Sequence, residues 1–196
     1  TMLAMLQDRS FRQALAVRRF TARVRSLGEP FVLVAGYGRA GRRLARSLDA
    51  LGRRVVVIDV AQERIDELAL DPYRADVPAL AIDARDPDHL MLAGLGNPSC
   101  VAVVALTGDD EANLAMTMTA ALMRPRVPMI ARAESPLAAE RMRAFGDPVV
   151  VNPFDLYGDY LRIALSSPAS LQLIEWLAAD PHAARPPLRT PPHGRW

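Results

Sequence analysis

The chain has 196 residues, of which 51% are hydrophobic, and a formal net charge of +2 at pH 7. This length and apolar content suit one well-buried domain with extensions and exclude a disordered or fibrous protein. All 24 basic residues are arginine, so chemistry that requires a lysine amine, such as a Walker phosphate loop or a Schiff base, is excluded.

The N-terminal residues 1–28 are basic, whereas the rest of the chain carries a slight excess of acids. Residues 1–27 contain six arginines and one acid, whereas the rest of the chain contains 18 arginines and 21 acids. Apolar side chains with helical spacing predict an amphipathic helix over about 6–27, namely Val17, Phe20, Val24 and Leu27. Two interpretations stay open: this helix packs on its own domain or a second copy, or it is a linker from a membrane segment. Because the chain begins with Thr1, we expect a fragment of a longer protein.

The segment 29–153 alternates apolar runs rich in β-forming residues with helical stretches. Strands are predicted at 31–35, 54–59, 79–82, 101–106, 129–132 and 149–151. Helices are predicted near 40–51, 62–70, 89–92, 111–123 and 137–145. Continuous apolar strands separated by helices indicate a parallel sheet covered on both faces. The predicted fold class is therefore α/β, a Rossmann-type doubly wound sheet of about six strands.

A glycine-rich motif follows the first predicted strand and opens a helix. In this context the first glycine permits a tight turn, the second allows close approach of a pyrophosphate, and the third lets the helix pack on the sheet. Phosphates are expected at the helix N-terminus, where unpaired N–H groups favour an anion. The arginine of the motif is either a bidentate phosphate ligand or a solvent-facing side chain. The motif consists of Gly36, Tyr37, Gly38, Arg39, Ala40 and Gly41.

Asp59 ends the second predicted strand, about twenty residues after the motif. A carboxylate at this point accepts hydrogen bonds from a ribose diol and repels a 2′-phosphate. The expected ligand is therefore NAD(H), with AMP, ADP or ATP as alternatives, rather than NADP. Arg64 follows shortly afterwards, and a solvated helix residue is favoured over a 2′-phosphate ligand for it.

Three later segments add a more specific signal: Ala81-Ile82-Asp83-Ala84, residues 105–113, and Ile130-Ala131-Arg132. Together with the glycine motif and Asp59, they resemble the RCK/TrkA-N family, cytoplasmic regulatory domains of potassium channels and transporters. The resemblance covers about residues 31–165. Ala81 departs from the family pattern, because a glycine usually stands at that position.

The resemblance places six further residues around the ligand, each beyond the carboxyl end of a strand, where open α/β sheets bind ligands. Two flank the adenine, two line the crevice, and two help to hold the distal part of the ligand: Asp83 and Ala84, Leu106 and Thr107, and Asn113 and Arg132. A turn or capping role alone stays open for Asp83. Asp109 and Asp110 are expected mainly to cap the following helix.

Helices predicted at 155–165 and 171–178 match the crossover helix-turn-helix that the family exchanges with a partner copy. The family's second lobe is missing from this sequence. The expected organisation is a linker helix at 1–28, a nucleotide-binding domain at 29–153, crossover helices at 154–179 and a Pro/Arg-rich linker tail at 180–196. The expected assembly is a homodimer or a higher oligomer. A potassium-conducting membrane protein or segment is the expected partner.

The expected function is a ligand sensor that couples nucleotide occupancy to ion flux, with no catalytic residue and no metal site. An NAD-dependent oxidoreductase domain is the alternative. The histidines suit acid–base catalysis poorly, because His89 lies on a short charged helix and His182 and His193 lie in the tail. Nucleic-acid binding is not expected, because the basic excess lies in the first helix without an aromatic stacking platform.

The expected location is cytoplasmic, at the inner face of the membrane. The N-terminal stretch lacks the apolar centre of a signal peptide, and the longest apolar run falls below the ~20 residues of a membrane span. The single cysteine, Cys100, lies in an apolar run, which predicts a small core residue rather than a disulfide or a metal ligand.

Overall fold

The computed structural model describes residues 9–179 and divides the chain into two units, Thr1–Pro153 and Phe154–Trp196. Two sequence expectations lie outside the described residues. They are the first turn of the predicted N-terminal helix, at 6–8, and the predicted linker tail at 180–196 with His182 and His193.

The first unit alternates helices and strands, and every strand lies within one residue of its predicted bounds. The elements are α1 (Arg9–Arg25), β1 (Phe31–Ala35), α2 (Arg39–Ala50), β2 (Arg54–Asp59), α3 (Gln62–Leu70), β3 (Ala79–Ala81), α4 (Pro87–Leu92), β4 (Cys100–Ala105), α5 (Asp110–Met123), β5 (Met129–Arg132), α6 (Pro136–Arg143) and β6 (Val149–Val151).

The six strands form one parallel sheet with the order β3-β2-β1-β4-β5-β6. The chain runs outward from β1 to β3, returns to β4 on the other side of β1, and then continues to β6. The strand order therefore reverses between β1 and β4, which is the point where doubly wound sheets form a ligand crevice. The Rossmann-type sheet predicted from the sequence is confirmed.

Alternate residues of β1 enter two different cores. Phe31 and Leu33 are fully buried in the first core cluster, to which α4, α5 and α6 contribute. Val34 is buried in the second cluster, to which α2 and α3 contribute. Because successive side chains of a strand point to opposite faces, a central strand covered on both sides must be apolar throughout. This requirement explains the unbroken apolar runs that predicted the strands.

The helix α1 packs against its own domain. Phe20 and Val24 are each only 2% exposed, and Val17 and Leu27 are partly buried against the first core cluster. Burying two large apolar side chains stabilises this contact by roughly 3–6 kcal/mol. The predicted apolar stripe is therefore confirmed as a core-facing surface. Cys100 is likewise buried in this cluster, and burial raises the pKa of its thiol.

The second unit holds two helices, α7 (Pro153–Ser166) and α8 (Pro168–Ala179). The hydroxyl of Tyr160 donates to Glu175 Oε1 at 2.6 Å, which links the two helices. Many large apolar side chains of this unit are exposed: Phe154, Leu156, Tyr157, Tyr160, Leu161, Leu165, Leu173, Ile174 and Trp176. Across residues 9–179, no helix is both long enough and apolar enough to cross a bilayer.

Candidate functional site

The crevice at the carboxyl ends of β1, β2 and β4 gathers most of the residues that the sequence singled out. Backbone bonds hold these strand ends side by side: Gly36 N donates to Ile58 O, and Leu106 N donates to Ala35 O, both at 2.8 Å. Ile82 N donates to Asp59 O at 2.9 Å, and this bond brings the end of β3 to the same edge of the sheet. Loops from four strands therefore meet at one edge of the sheet.

The three glycines of the loop between β1 and α2 meet different surroundings. Gly36 has a φ of +96°, and a Cβ atom there would lie 2.7 Å from the backbone of Leu106. A Cβ atom at Gly41 would lie 1.9 Å from the carbonyl oxygen of Gly36. These two positions admit no side chain, because the backbone atoms they face cannot move aside.

Gly38 is the open position of the loop. It caps α2 without a side-chain hydrogen bond, and a Cβ atom there would have one neighbour within 4 Å, Arg64 Nη1 at 3.9 Å. Arg39 and Ala40, the first residues of α2, are exposed beside it. The leading N–H groups of a helix have no acceptor within the helix. The loop thus presents free donors and an unfilled surface to the crevice.

Asp59 is buried at the end of β2, with only 4% of the residue exposed. Its Oδ2 accepts from Tyr37 N at 2.6 Å and from Arg64 Nη1 at 3.1 Å, and its Oδ1 accepts from Ala61 N at 2.9 Å. The carboxylate therefore holds the glycine loop at the end of β2 through its hydrogen bond from Tyr37 N. Arg64 lies on α3 with its side chain 46% exposed, as expected of a solvated helix residue, and its guanidinium also forms an ion pair with Asp59.

The side chain of Tyr37 points away from the crevice into a polar cluster behind the glycine loop. Its hydroxyl donates to Asp71 Oδ2 at 2.6 Å and lies 2.5 Å from the hydroxyl of Tyr73. Asp71 Oδ1 accepts from Arg46 at 2.8 Å and also from Arg42. Tyr37, which is 2% exposed, thus anchors the loop and has only its backbone near the crevice.

Burial and hydrogen bonding fix the charge states of this cluster. Burial raises the pKa of the Tyr37 hydroxyl, and the bonds to Asp71 and Tyr73 raise it further. Burial alone would raise the pKa of Asp71, but hydrogen bonds from Arg42, Tyr37 and Arg46 outweigh it and keep that pKa below its ordinary value. At neutral pH the phenol is therefore protonated and the carboxylate is charged.

Asp83 and Ala84 follow β3, as the resemblance implied. Asp83 accepts from the backbone N–H of Arg85 at 2.9 Å and from its guanidinium at 2.9 and 3.1 Å. These bonds to Arg85 hold the pKa of Asp83 below its ordinary value. Arg85 Nη1 also lies 3.6 Å from Asp109 Oδ2, so this arginine bridges the loops after β3 and β4. The side chain of Ala84 is buried in the first core cluster, which leaves its backbone for the crevice.

Asn113 is completely buried and joins the ends of β4 and β5. Its Nδ2 donates to Thr107 O at 3.1 Å and to Arg132 O at 3.0 Å. Its Oδ1 accepts from Thr107 N at 3.1 Å and from Thr107 Oγ1 at 2.8 Å. Every hydrogen-bonding position of the amide is used within the protein. Asn113 therefore shapes the crevice through Thr107 and Arg132 instead of offering a free group to a ligand.

Arg132 and the two aspartates of the next loop complete this end of the crevice. The guanidinium of Arg132 pairs with Glu134, and its buried Nε has no hydrogen-bond partner among residues 9–179. Asp109 caps α5 as expected, accepting from Glu111 N at 2.9 Å. Asp110 instead accepts from the backbone of residues 134 and 135 at 2.9 and 2.8 Å, so it ties α5 to the loop before α6.

Sequence reasoning missed the ion pairs that Arg64 and Arg85 form and the polar cluster around Asp71. Arg64 and Arg85 lie five and two residues after the aspartates they contact, and that local spacing is a signal that could have found them. The cluster around Asp71 carried no such signal, because Asp71 lies 34 residues from Tyr37 and meets it only through the packing of α2 and α3.

Comparison with protein families gives one match to most of this unit. A family model described as the TrkA-N domain matches residues 32–153. A Trk system potassium uptake protein TrkA homolog of Pyrococcus abyssi is 28% identical over 144 residues, which cover 70% of this chain and 61% of that protein. Potassium channel protein 1 of Methanocaldococcus jannaschii is 25% identical over 171 residues, which cover 86% and 49% respectively. The chain thus spans about half to three fifths of these two relatives.

Solved structures share the fold. The NAD(P)-binding domain of an exopolyphosphatase-related protein from Archaeoglobus fulgidus superposes with a TM-score of 0.60 and 26% identity, covering 70% of this chain and 98% of that one. The GsuK channel bound to NAD has a TM-score of 0.59 and 20% identity, covering 69% of this chain and 24% of that one. At that identity the second match establishes the fold alone.

Proposed function

The chain belongs to the TrkA-N domain family, and from this premise we propose that it is a nucleotide-sensing regulatory domain of a potassium channel or transporter. One observation carries the proposal: an open glycine loop at a helix N-terminus lies directly above a buried strand-end carboxylate, Asp59. This arrangement suits a phosphate on the loop and a ribose beside the carboxylate.

The ligand is an adenine nucleotide, with NAD(H) first and AMP, ADP or ATP as alternatives. The relatives support this choice, since one similar structure is an NAD(P)-binding domain and another contains bound NAD. The glycine loop takes the phosphates, and Asp59 takes the ribose. Asp83 and the backbone of Ala84 flank the adenine, and Leu106 and Thr107 line the crevice. Arg132 contacts the distal part of the ligand, and Asn113 positions Arg132 by donating to its carbonyl oxygen.

The domain senses its ligand without transforming it. A hydride-transfer enzyme needs a positioned acid or base beside the nicotinamide. His89 is the histidine closest in sequence to the crevice residues. Its Nδ1 lies 2.9 Å from the carbonyl oxygen of Asp83, so it supports the loop after β3. A sensor needs only different ligand affinities in two conformations, which the family relationship to potassium transport favours.

The partner surface lies on α7 and α8, through which a second copy binds. Their exposed side chains include Phe154, Leu165 and Trp176, at 66%, 88% and 57% exposure. Apolar patches of this kind mark interaction surfaces, and homodimer interfaces are more apolar than ordinary protein surfaces. The assembly operates in the cytoplasm at the inner face of the membrane, next to a potassium-conducting protein or segment.

Isothermal titration of the purified 196-residue chain tests nucleotide binding. We expect saturable binding of NADH or of one of the adenine nucleotides. Asp59→Asn should weaken that binding about 10- to 100-fold, because a charge-assisted hydrogen bond to the ribose is lost. Asp66→Asn is the matched control, since Asp66 lies exposed on α3 and its carboxylate contacts Gln62.

Two results would contradict the proposal. The first is the absence of binding by the whole panel of NAD(H), AMP, ADP and ATP. The second is steady turnover of NADH with a panel of small carbonyl compounds, which would make the chain an oxidoreductase. The coupling to transport is tested with this chain reconstituted together with a potassium channel or transporter in potassium-loaded vesicles, where added nucleotide should change the efflux rate.

A further inference from the structure

Arg64 occupies the part of the crevice between the buried carboxylate and the glycine loop. Its Nη1 lies 3.1 Å from Asp59 Oδ2 and 3.9 Å from the position that a Cβ atom of Gly38 would take. A nucleotide whose phosphate lies on the glycine loop and whose ribose lies on Asp59 must place its sugar between these same two groups. The guanidinium and the ribose therefore compete for one position.

The three groups that donate hydrogen bonds to Asp59 differ in how easily they can be displaced. Two are backbone N–H groups, of Tyr37 and Ala61, and each is fixed by the helix or loop that carries it. The third is the side chain of Arg64, which is 46% exposed. Because a half-exposed arginine can rotate into solvent at little cost, Arg64 is the donor that a ribose hydroxyl can replace.

We propose that Arg64 is an internal competitor for the ribose site and selects phosphorylated nucleotides over free nucleosides. This inference rests on the proposed function. Without ligand, Arg64 holds the ribose-facing oxygen of Asp59. When a nucleotide binds, a ribose hydroxyl takes that oxygen, and the released guanidinium stays beside Gly38, where it pairs with the ligand's phosphate. Adenosine displaces the arginine but offers it no new anion.

The experiment compares adenosine with ADP on the wild-type chain and on Arg64→Gln, by isothermal titration. Adenosine should bind the variant about 3- to 10-fold more tightly, because its competitor is gone. ADP should bind it about 3- to 10-fold more weakly, because one phosphate partner is lost. The preference for ADP over adenosine should thus fall by at least about tenfold.

Arg53→Gln is the matched control, since it removes the same charge. Arg53 precedes the first residue of β2, whereas Asp59 is its last, so the two lie about 20 Å apart at 3.3 Å per residue. This variant should leave both affinities unchanged. If Arg64→Gln is poorly folded, Arg64→Lys replaces it, because a lysine keeps the charge but lacks the planar fork that reaches Asp59.

Three outcomes would overturn the inference. Equal weakening of both ligands would make Arg64 a structural support of the site. Unchanged adenosine affinity in the folded Arg64 variant would show that no competition exists. Binding of neither ligand to the wild-type chain would overturn the inference, and the same titration with NAD(H), AMP and ATP then decides whether the proposed function stands. The first two outcomes leave the proposed function standing.

Discussion

The two walls of the crevice use their polar groups in opposite ways. On the charged wall, at the ends of β2 and β3, the carboxylates of Asp59 and Asp83 are bound by the side chains of Arg64 and Arg85. Both arginines are about half exposed. Their contacts can therefore open without moving the backbone, and the charged wall can exchange an arginine for a ligand group.

The amide wall, at the ends of β4 and β5, has no such freedom. Asn113 holds the backbone of Thr107 and Arg132 together with an amide that is fully buried and fully hydrogen-bonded. Opening it would expose several unpaired polar groups inside the protein, at about 1–3 kcal/mol each. The difference indicates a crevice with one rigid wall and one wall whose side-chain contacts can open.

Breaking the amide wall should have the largest effect on stability. Asn113→Leu removes four hydrogen bonds and leaves the carbonyl groups of Thr107 and Arg132 unpaired, so we expect a loss of about 3 kcal/mol in the free energy of unfolding. Urea denaturation measures this change. Gln62→Leu, which removes an exposed amide on α3, should change it by less than about 0.5 kcal/mol. Equal losses for the two variants would show that the amide wall is not rigid.

Removing Asp71 from the cluster behind the glycine loop should have a smaller effect on stability, and this effect should depend on pH. Hydrogen bonds keep the pKa of Asp71 below its ordinary value of 3.8 in the folded chain, so its stabilisation is present above that value and is lost as the pH falls through the lowered pKa. Asp71→Asn should cost about 2 kcal/mol at pH 7. The gap from wild type should stay constant down to about pH 5 and narrow below about pH 4. A gap that widens on acidification would contradict this assignment.

Filling the open position of the glycine loop should affect stability least. A Cβ atom at Gly38 meets only the flexible end of Arg64, so Gly38→Ala should change the free energy of unfolding by less than about 1 kcal/mol. Its methyl group occupies the surface that a phosphate must approach, so NADH affinity should fall about tenfold or more. Calorimetric titration and urea denaturation together separate the two effects. Unchanged affinity would place the phosphates elsewhere.

The strands and the glycine loop could be predicted because the requirements that shape them are visible within a few consecutive residues. A central strand with both faces covered must be apolar at every position, and this showed directly in residues 31–35 and 54–59. The turn at Gly36 and the close packing at Gly41 each need a missing side chain, which the sequence displays. The positions of these elements followed from patterns a few residues long.

The partners of the polar side chains could not be predicted, because they depend on tertiary packing. Thr107 and Asn113 were expected at the crevice from their sequence positions, and both follow the end of β4. Nothing local showed that the Asn113 amide would be saturated within the protein, including by a carbonyl group 19 residues away in Arg132. Tyr37 was grouped with the binding residues, but α2 and α3 turn its ring towards Asp71. Proximity to the crevice was predictable, and the direction of each side chain was not.

Titration of ¹⁵N-labelled protein with NADH tests the central claim most directly, since one NMR spectrum observes both walls. We expect saturable shifts of the backbone amides of Gly38 and Arg39 and of the Arg64 side-chain Nε, while the side-chain amide signals of Asn113 stay in place. A spectrum in which the Asn113 signals move as far as those of the glycine loop, or in which the glycine loop does not respond, would contradict a nucleotide site with one fixed and one exchangeable wall.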